Sequence, residues 1–369
     1  MSVNLPLPSS EAAALTQPAP IPARRPSRLD GVEAGRGVAA LLVVLYHAAL
    51  RVESNVPGSA VLWGLPHFGH AGVDFFFVLS GFIISFVHRK DIGRPGRLGH
   101  YLERRFTRVF PFYWLVLAFC LFDALLLHRI QFPGVHEVLS NVLLLPQAQD
   151  QIVGGAWTLV YEIMFYLVFA IAICSRWIGA AVLCIWVALV ATGFVINPLF
   201  HSAALNVARS PFCLEFFLGI GAAVILSRSK VPFSGIVLAA GLTGFATAGL
   251  CEVAGRLSGF GGAARLAYGV CAFMVILALV ERERTGQLKV PRFLAVLGRA
   301  SYSVYLVHLI AIGITFKVLS TAVRLTPSWS LLAWGFLCAI GLTAGILSSI
   351  WLEQPLIRFV RKCLTGVQA

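Results

Sequence analysis

The sequence predicts an all-α, polytopic membrane protein of about ten transmembrane helices with both termini in the cytoplasm. Three observations predict it. Of 369 residues, 58% are hydrophobic and only 12% charged, where a soluble domain is about half apolar and about a quarter charged. Apolar runs of the ~20 residues that cross a bilayer recur along the whole length. The 29 Lys and Arg residues are shared unevenly between alternate loops.

Residues 1–28, rich in Pro, Ala and Ser, have neither an early positive charge nor an apolar core; they read as a disordered cytoplasmic tail, not a signal peptide. A membrane domain follows over 29–358. Its first span covers about 32–51. The uncharged run Gly37–Leu50 is 14 residues, about 21 Å of helix against a core of about 30 Å, so the helix is expected to start near Asp30. The second span (70–88) lies in HFGHAGVDFFFVLSGFIISF, and the third (108–127) is entered through RRFTRVFPFYW. The fourth (156–174) opens AWTLVYEIMFYL. Runs at 177–196, 211–227 and 234–251 are plain hydrophobic stretches. Spans at 263–280, 297–316 (within LGRASYSVYLVHLI) and 329–352 complete the set, and 359–369 is a short basic cytoplasmic tail.

The net charge of +13 invites a nucleic-acid reading, and the distribution of charge argues against it. With ten spans, 21 Lys/Arg fall on the side of the termini and seven on the other, Arg299 lying at a span boundary. That is the cytoplasmic excess of the positive-inside rule. The eight cysteines are scattered with no C-x-x-C or Cys/His spacing, so no disulfide framework and no metal site is expected. No phosphate-binding glycine loop is present, and no internal repeat of the kind transporters carry is visible.

The first span holds the most informative pair, Arg36-GVAALLVVLY-His47. A cation near one face is followed, roughly 16 Å along the helix axis, by an imidazole deep in the bilayer, where ionisable groups usually serve a function. His47 is either a helix-to-helix hydrogen-bonding group or a base that takes a proton from a hydroxyl. Glu33, three residues before Arg36, can face it as an interfacial ion pair. Arg105 and Arg108 share a helix face; they either anchor the protein at the interface or clamp a phosphate. Asp74, in an aromatic cluster, is a helix N-terminal dipole partner or a sugar-facing acid. Ser80 and Gly81 suit close helix packing. Glu162 lies about one and a half turns into its span; Trp157, Tyr161 and Tyr166 near it form an interface belt or line an acceptor path. Ser301, Tyr305 and His308 fall on one helix face, as glue between helices or as a cavity lining.

Together LDGVEAGRGVAALLVVLYHA, GVDFFFVLSGFI, RRFTRVFPFYW, AWTLVYEIMFY, LGRASYSVYLVH and WLEQPL resemble, in order, the integral-membrane acyltransferase-3 family. NVLLLPQ followed by AWTLVYEIMFY looks closest to the branch that acetylates exopolysaccharides. The resemblance implies transfer of an acyl group, most often acetyl, from cytosolic acyl-CoA to a glycan hydroxyl in the bacterial inner membrane. It implies His47 as base or relay and Arg36, Arg105 and Arg108 as the groups that hold the CoA phosphates. Glu162 is expected to assist catalysis, and Asp74, Trp157, Tyr161 and His308 to meet the acceptor, a glycan or lipid-linked oligosaccharide. Acetyl-CoA is then a co-substrate, with no permanently bound cofactor and no nucleic-acid partner. The segment LDGVEAGRG has extra residues before Arg36 relative to the family's opening, which leaves the place of Asp30 and Glu33 open. With about ten residues after the last span, direct acylation or completion by a separate periplasmic partner are both consistent. The rival reading is a glycolipid transporter or flippase whose path the same polar residues line.

Overall fold

The computed structural model describes residues 29–126, 134–195 and 202–365; the expected tail at 1–28 lies outside them. Among the described residues there are helices and no strands. The helices are α1 (Asp30–Asn55), α2 (Gly72–His88), α3 (Leu98–Leu126), α4 (Val135–Leu143), α5 (Trp157–Cys174), α6 (Arg176–Val195), α7 (Ala203–Ala208), α8 (Cys213–Arg228), α9 (Ser234–Val253), α10 (Gly262–Arg284), α11 (Arg292–Ala322), α12 (Ser330–Ser348) and α13 (Gln354–Thr365).

Nine of the described helical stretches are long and apolar enough to cross a membrane. The difference from ten lies at 211–227. There α8 has 16 residues, about 24 Å of helix, because Pro211 and the turn at Ser210–Cys213 delay its start. The last span is longer than expected: α12, a π-helical turn at Ser349–Glu353 and α13 form one stretch from Pro327 to Leu364, so the basic segment expected as a tail is helical as far as Thr365.

α1 begins at Asp30, as its short uncharged run implied. Its first amides would otherwise lack partners. The Glu283 carboxylate at the end of α10 accepts from the Asp30 and Gly31 N–H groups at 2.8 and 2.9 Å, and negative charge there also suits the helix dipole. α1 packs against α2, α10, α11 and α12, while α6 and α9 bury little of their surface and form the edge. Without a hydrophobic drive between helices in lipid, close backbone approach matters. A Cβ on Gly298 of α11 would sit 1.9 Å from the Glu33 carbonyl, and one on Gly81 of α2 would sit 2.2 Å from the Phe216 carbonyl of α8. Gly81 therefore serves the packing role expected of it.

α4 anchors the loop before α5. Tyr113 donates to the Asn141 carbonyl at 2.7 Å and the Asn141 side chain accepts from the Ile152 N–H at 2.9 Å. This fixes the segment carrying Gly154 and Gly155.

Candidate active site

Two cavities in the bundle have Val73 and Tyr305 in common among their lining residues. The larger, about 360 Å³, is rimmed by Arg36, Arg104, Arg105, Arg108 and Arg361, with Glu162 on its wall. Five cations from α1, α3 and α13 against one lining carboxylate favour a polyanion. The sequence placed three of these arginines together, and the structure does bring Arg36, Arg105 and Arg108 to one cavity. Arg104 and Arg361 join them; the positive-inside count concealed both among ordinary loop charges.

Arg108 Nη1 donates to Glu353 Oε1 at 3.1 Å, and its guanidinium lies over the Tyr302 ring at 5.1 Å. Glu353, 2% exposed, accepts from Ser303 at 2.6 Å and from Ser349 at 3.0 Å through its other oxygen. Glu353 comes from the π-helical turn, in the WLEQPL segment; such turns often mark functional sites. Arg105 is held differently, over the faces of Tyr101 and Tyr166 at 5.9 and 5.6 Å, a cation–π arrangement. Glu162 accepts from the Tyr166 hydroxyl and, at 3.1 Å, from Ser80. It belongs to the arginine cavity and does not touch His47. Glu33 does not pair with Arg36; its carboxylate lies 3.9 Å from Arg299 on the neighbouring α11.

The second cavity, about 270 Å³, is lined by Tyr46, His47, His70, Trp157, Arg265 and His308 among others, with the Gly154–Gly155 backbone. His47 Nδ1 lies 2.9 Å from the Val43 carbonyl and 3.1 Å from His308 Nε2. His308, fully buried, has Nδ1 2.9 Å from the Val304 carbonyl. A carbonyl only accepts, so both Nδ1 atoms carry the proton in the neutral rings. His308 Nε2 then accepts from His47 Nδ1–H, and both nitrogens of His308 are engaged. His47 Nε2 is left with a bare lone pair and no partner among the described residues. Two imidazoles thus have different chemistry: one has a basic atom available, and the other fixes its tautomer.

Arg36 and His47 line different cavities from one helix. Eleven residues are close to three full turns, so both side chains leave the same face of α1. The polar stripe of α11 likewise crosses the boundary, with Ser301 in the arginine cavity, His308 in the histidine cavity and Tyr305 in both.

Trp157 lines the histidine cavity. Tyr161 lines neither; it packs on Phe77, Trp157 and Phe212 at ring-centre distances of 5.7–5.9 Å. Asp74 also lines neither. It is in the first turn of α2, fully buried, and ion-paired with Arg265. The pair exists because a carboxylate at that depth needs a cation. Arg265, which lines the histidine cavity, further contacts the Gly259 carbonyl and His70 Nδ1, the latter at 3.3 Å. His70 Nε2 in turn donates to Glu252 at 2.8 Å, and Tyr268 donates to the same carboxylate at 2.7 Å. Sequence reasoning missed this network because Arg265 and Glu252 sit at the ends of their helices, where charges are unremarkable.

The bundle thus holds one cavity ringed by arginines and a second lined by histidines. The chain belongs to the acyltransferase-3 family: the family's model, described as an acyltransferase domain, matches residues 29–350. It is similar to the exopolysaccharide production protein ExoZ of Rhizobium meliloti (strain 1021), 28% identical over 79% of this chain and 90% of that protein. It is also similar to the acyltransferase MdmB of Streptomyces mycarofaciens, 27% identical over 90% of this chain and 92% of that protein. A third relative, protein 2 in the picA locus of Rhizobium radiobacter, is 32% identical over 38% of this chain and 79% of its own length. No solved structure gives a significant match.

Proposed function

We propose that this acyltransferase is an acetyl-CoA-dependent O-acetyltransferase of the bacterial inner membrane, acting on a hydroxyl of a cell-surface or exported glycan. The observation that carries the reading is the pair of cavities: arginines ring one, and a histidine with a free Nε2 lines the other. The relative named for exopolysaccharide production supports the choice of acceptor class. The cytoplasmic excess of basic residues supports an arginine cavity open to the cytosol and termini on that side.

In this reading Arg36, Arg104, Arg105, Arg108 and Arg361 hold the phosphates of CoA, and the pantetheine arm runs along α1 toward His47. The acceptor hydroxyl enters the histidine cavity beside Trp157 and Tyr46. His47 Nε2 takes the hydroxyl proton as the oxygen attacks the thioester carbonyl. The C–O bond forms, the C–S bond breaks, and the imidazolium returns its proton to the departing CoA thiolate. His308 keeps the His47 proton on Nδ1 so that Nε2 stays basic. Glu162 partly balances the arginines, a positioning role. Asp74 acts through Arg265, which presents its guanidinium to the acceptor cavity.

The test uses purified protein and acetyl-CoA labelled in the acetyl group, wild type beside His47→Ala, with and without a cell-envelope glycan fraction. CoA release that requires His47, with label appearing on glycan, is the expected result. No CoA release from folded wild-type protein in either condition would overturn the enzyme reading in favour of a glycolipid transporter.

A further inference from the structure

α2, α8 and α10 approach one another through glycines. A Cβ on Gly219 of α8 would lie 2.0 Å from the Val78 carbonyl of α2, and one on Gly269 of α10 would lie 3.2 Å from Cγ of Glu215 in α8. Asp74 stands one helical turn before Val78, Glu215 one turn before Gly219, and Arg265 one turn before Gly269. The packing therefore gathers all three side chains. Arg265 pairs with Asp74, and the Asp74 and Glu215 carboxyl groups are in hydrogen-bond contact. We propose that this carboxyl pair holds one proton, carried by Glu215, and that Glu215 is a positioning residue: as a neutral acid it fixes Arg265 at the acceptor cavity through Asp74. The proton rests on the geometry of the cluster; the part played by Arg265 rests on the transferase reading above.

The hydrogen bonds of the cluster call for that proton. Asp74 and Glu215 are both 0% exposed. Ionised carboxylates only accept. Arg265 Nη1 donates to Asp74 Oδ2, which leaves Asp74 Oδ1 and both oxygens of Glu215 buried without a donor. One proton between the two carboxyl groups turns their contact into a charge-assisted O–H···O bond. Asp74 already has the guanidinium, so it stays the anion and Glu215 carries the proton. The charges around the cluster agree. On the far side of Arg265, His70 Nδ1 accepts from Nη2 at 3.3 Å. The Glu252 carboxylate of α9 accepts from His70 and from Tyr268 at 2.8 and 2.7 Å. With Glu215 ionised, three carboxylates would draw on one guanidinium away from water. Carboxyl groups that share a site do not all ionise, and a buried charge without its own partner is costly.

Arg265 lines the histidine cavity, whereas Asp74 and Glu215 line neither cavity. Glu215 thus acts only through its neighbour. Its O–H holds Asp74 Oδ1, which keeps Oδ2 turned toward Arg265 and the guanidinium in place for a hydroxylated acceptor.

Two measurements on full-length protein test this. Infrared spectra at neutral pH, where an ordinary carboxyl group is ionised, follow the C=O stretch of protonated carboxyl groups in wild type and in Glu215→Gln. Loss of one such band in the variant is expected. Acceptor KM and kcat are then measured by CoA release with cell-envelope glycan for wild type, Glu215→Ala and Glu215→Gln, each checked for cooperative unfolding. Glu215→Ala is expected to raise the acceptor KM about tenfold or more, the size of a lost hydrogen bond to a charged group, with little change in kcat. Glu215→Gln, neutral and still a donor to Asp74 Oδ1, is expected to restore that KM. The infrared band carries the test if the alanine variant does not fold. Spectra without a band that depends on Glu215, a glutamine variant as impaired as the alanine one, or a glutamine variant that does not fold would overturn the shared proton. A lost band with an unchanged KM in folded Glu215→Ala would overturn the positioning role. No CoA release from folded wild type, with the band present, overturns the transferase reading and the positioning role and leaves the proton in place.

Discussion

Replacing His308 by Ala separates the base from the group that orients it. The His47 Nδ1–H has two acceptors, the Val43 carbonyl at 2.9 Å and His308 Nε2 at 3.1 Å. Losing His308 removes one and leaves the other, so the tautomer that keeps Nε2 basic is weakened and not abolished. One neutral hydrogen bond contributes about 0.5–1.5 kcal/mol, which corresponds to roughly a 2- to 13-fold fall in kcat. Removing a general base costs about 10²- to 10⁴-fold. His308→Ala should therefore retain measurable activity where His47→Ala has almost none. His308→Gln, whose amide oxygen can stand near the Nε2 position, should recover part of the loss. The assay is CoA release with saturating glycan, with thermal unfolding to confirm that each variant is folded. Equal losses in the two Ala variants, or a greater loss at His308, would refute the assignment of distinct roles to the two rings.

Asp74→Asn breaks a pair whose members are 0% and 1% exposed; it should cost about 3–5 kcal/mol of stability, read as a fall in unfolding temperature. A raised acceptor KM with unchanged unfolding would mean that Asp74 meets the sugar directly. Arg105→Ala and Arg108→Ala should each weaken CoA binding about ten- to a hundredfold by calorimetry, since a hydrogen bond to a charged group contributes about 1.5–3 kcal/mol. Of the two, only Arg108→Ala should also lower stability, because it leaves the Glu353 carboxylate, 2% exposed, without its cation.

What could be read in the sequence is what depends on near neighbours. The spans follow from apolar run length, and the grouping of Arg36, Arg105 and Arg108 follows from the family resemblance of their segments. What was hidden depends on partners far apart in the chain. His47 meets His308 across 261 positions, Asp74 meets Arg265 across 191, and Arg108 meets Glu353 across 245. Each pair is chosen by packing: a buried charge or imidazole is stable only where another helix delivers its complement. Asp74 looked sugar-facing because an acid in an aromatic segment is ambiguous until the cation is found. The sixth apolar run has only 16 helical residues because a turn at Pro211 delays the start of α8, which composition does not reveal.

The unbroken α1 carries a consequence for how its sequence can change. Arg36 and His47 share a face because three helical turns nearly close over their separation. Inserting or deleting one residue between them alters their axial distance by only about 1.5 Å, but swings one side chain by about 100° relative to the other. No side-chain flexibility at either end restores that angle. The number of residues between them is therefore fixed by this angle, and Gly37 is fixed in identity as well, since a Cβ there would lie 2.9 Å from the Leu294 carbonyl. A gap anywhere in this stretch parts the two side chains whatever residues surround it.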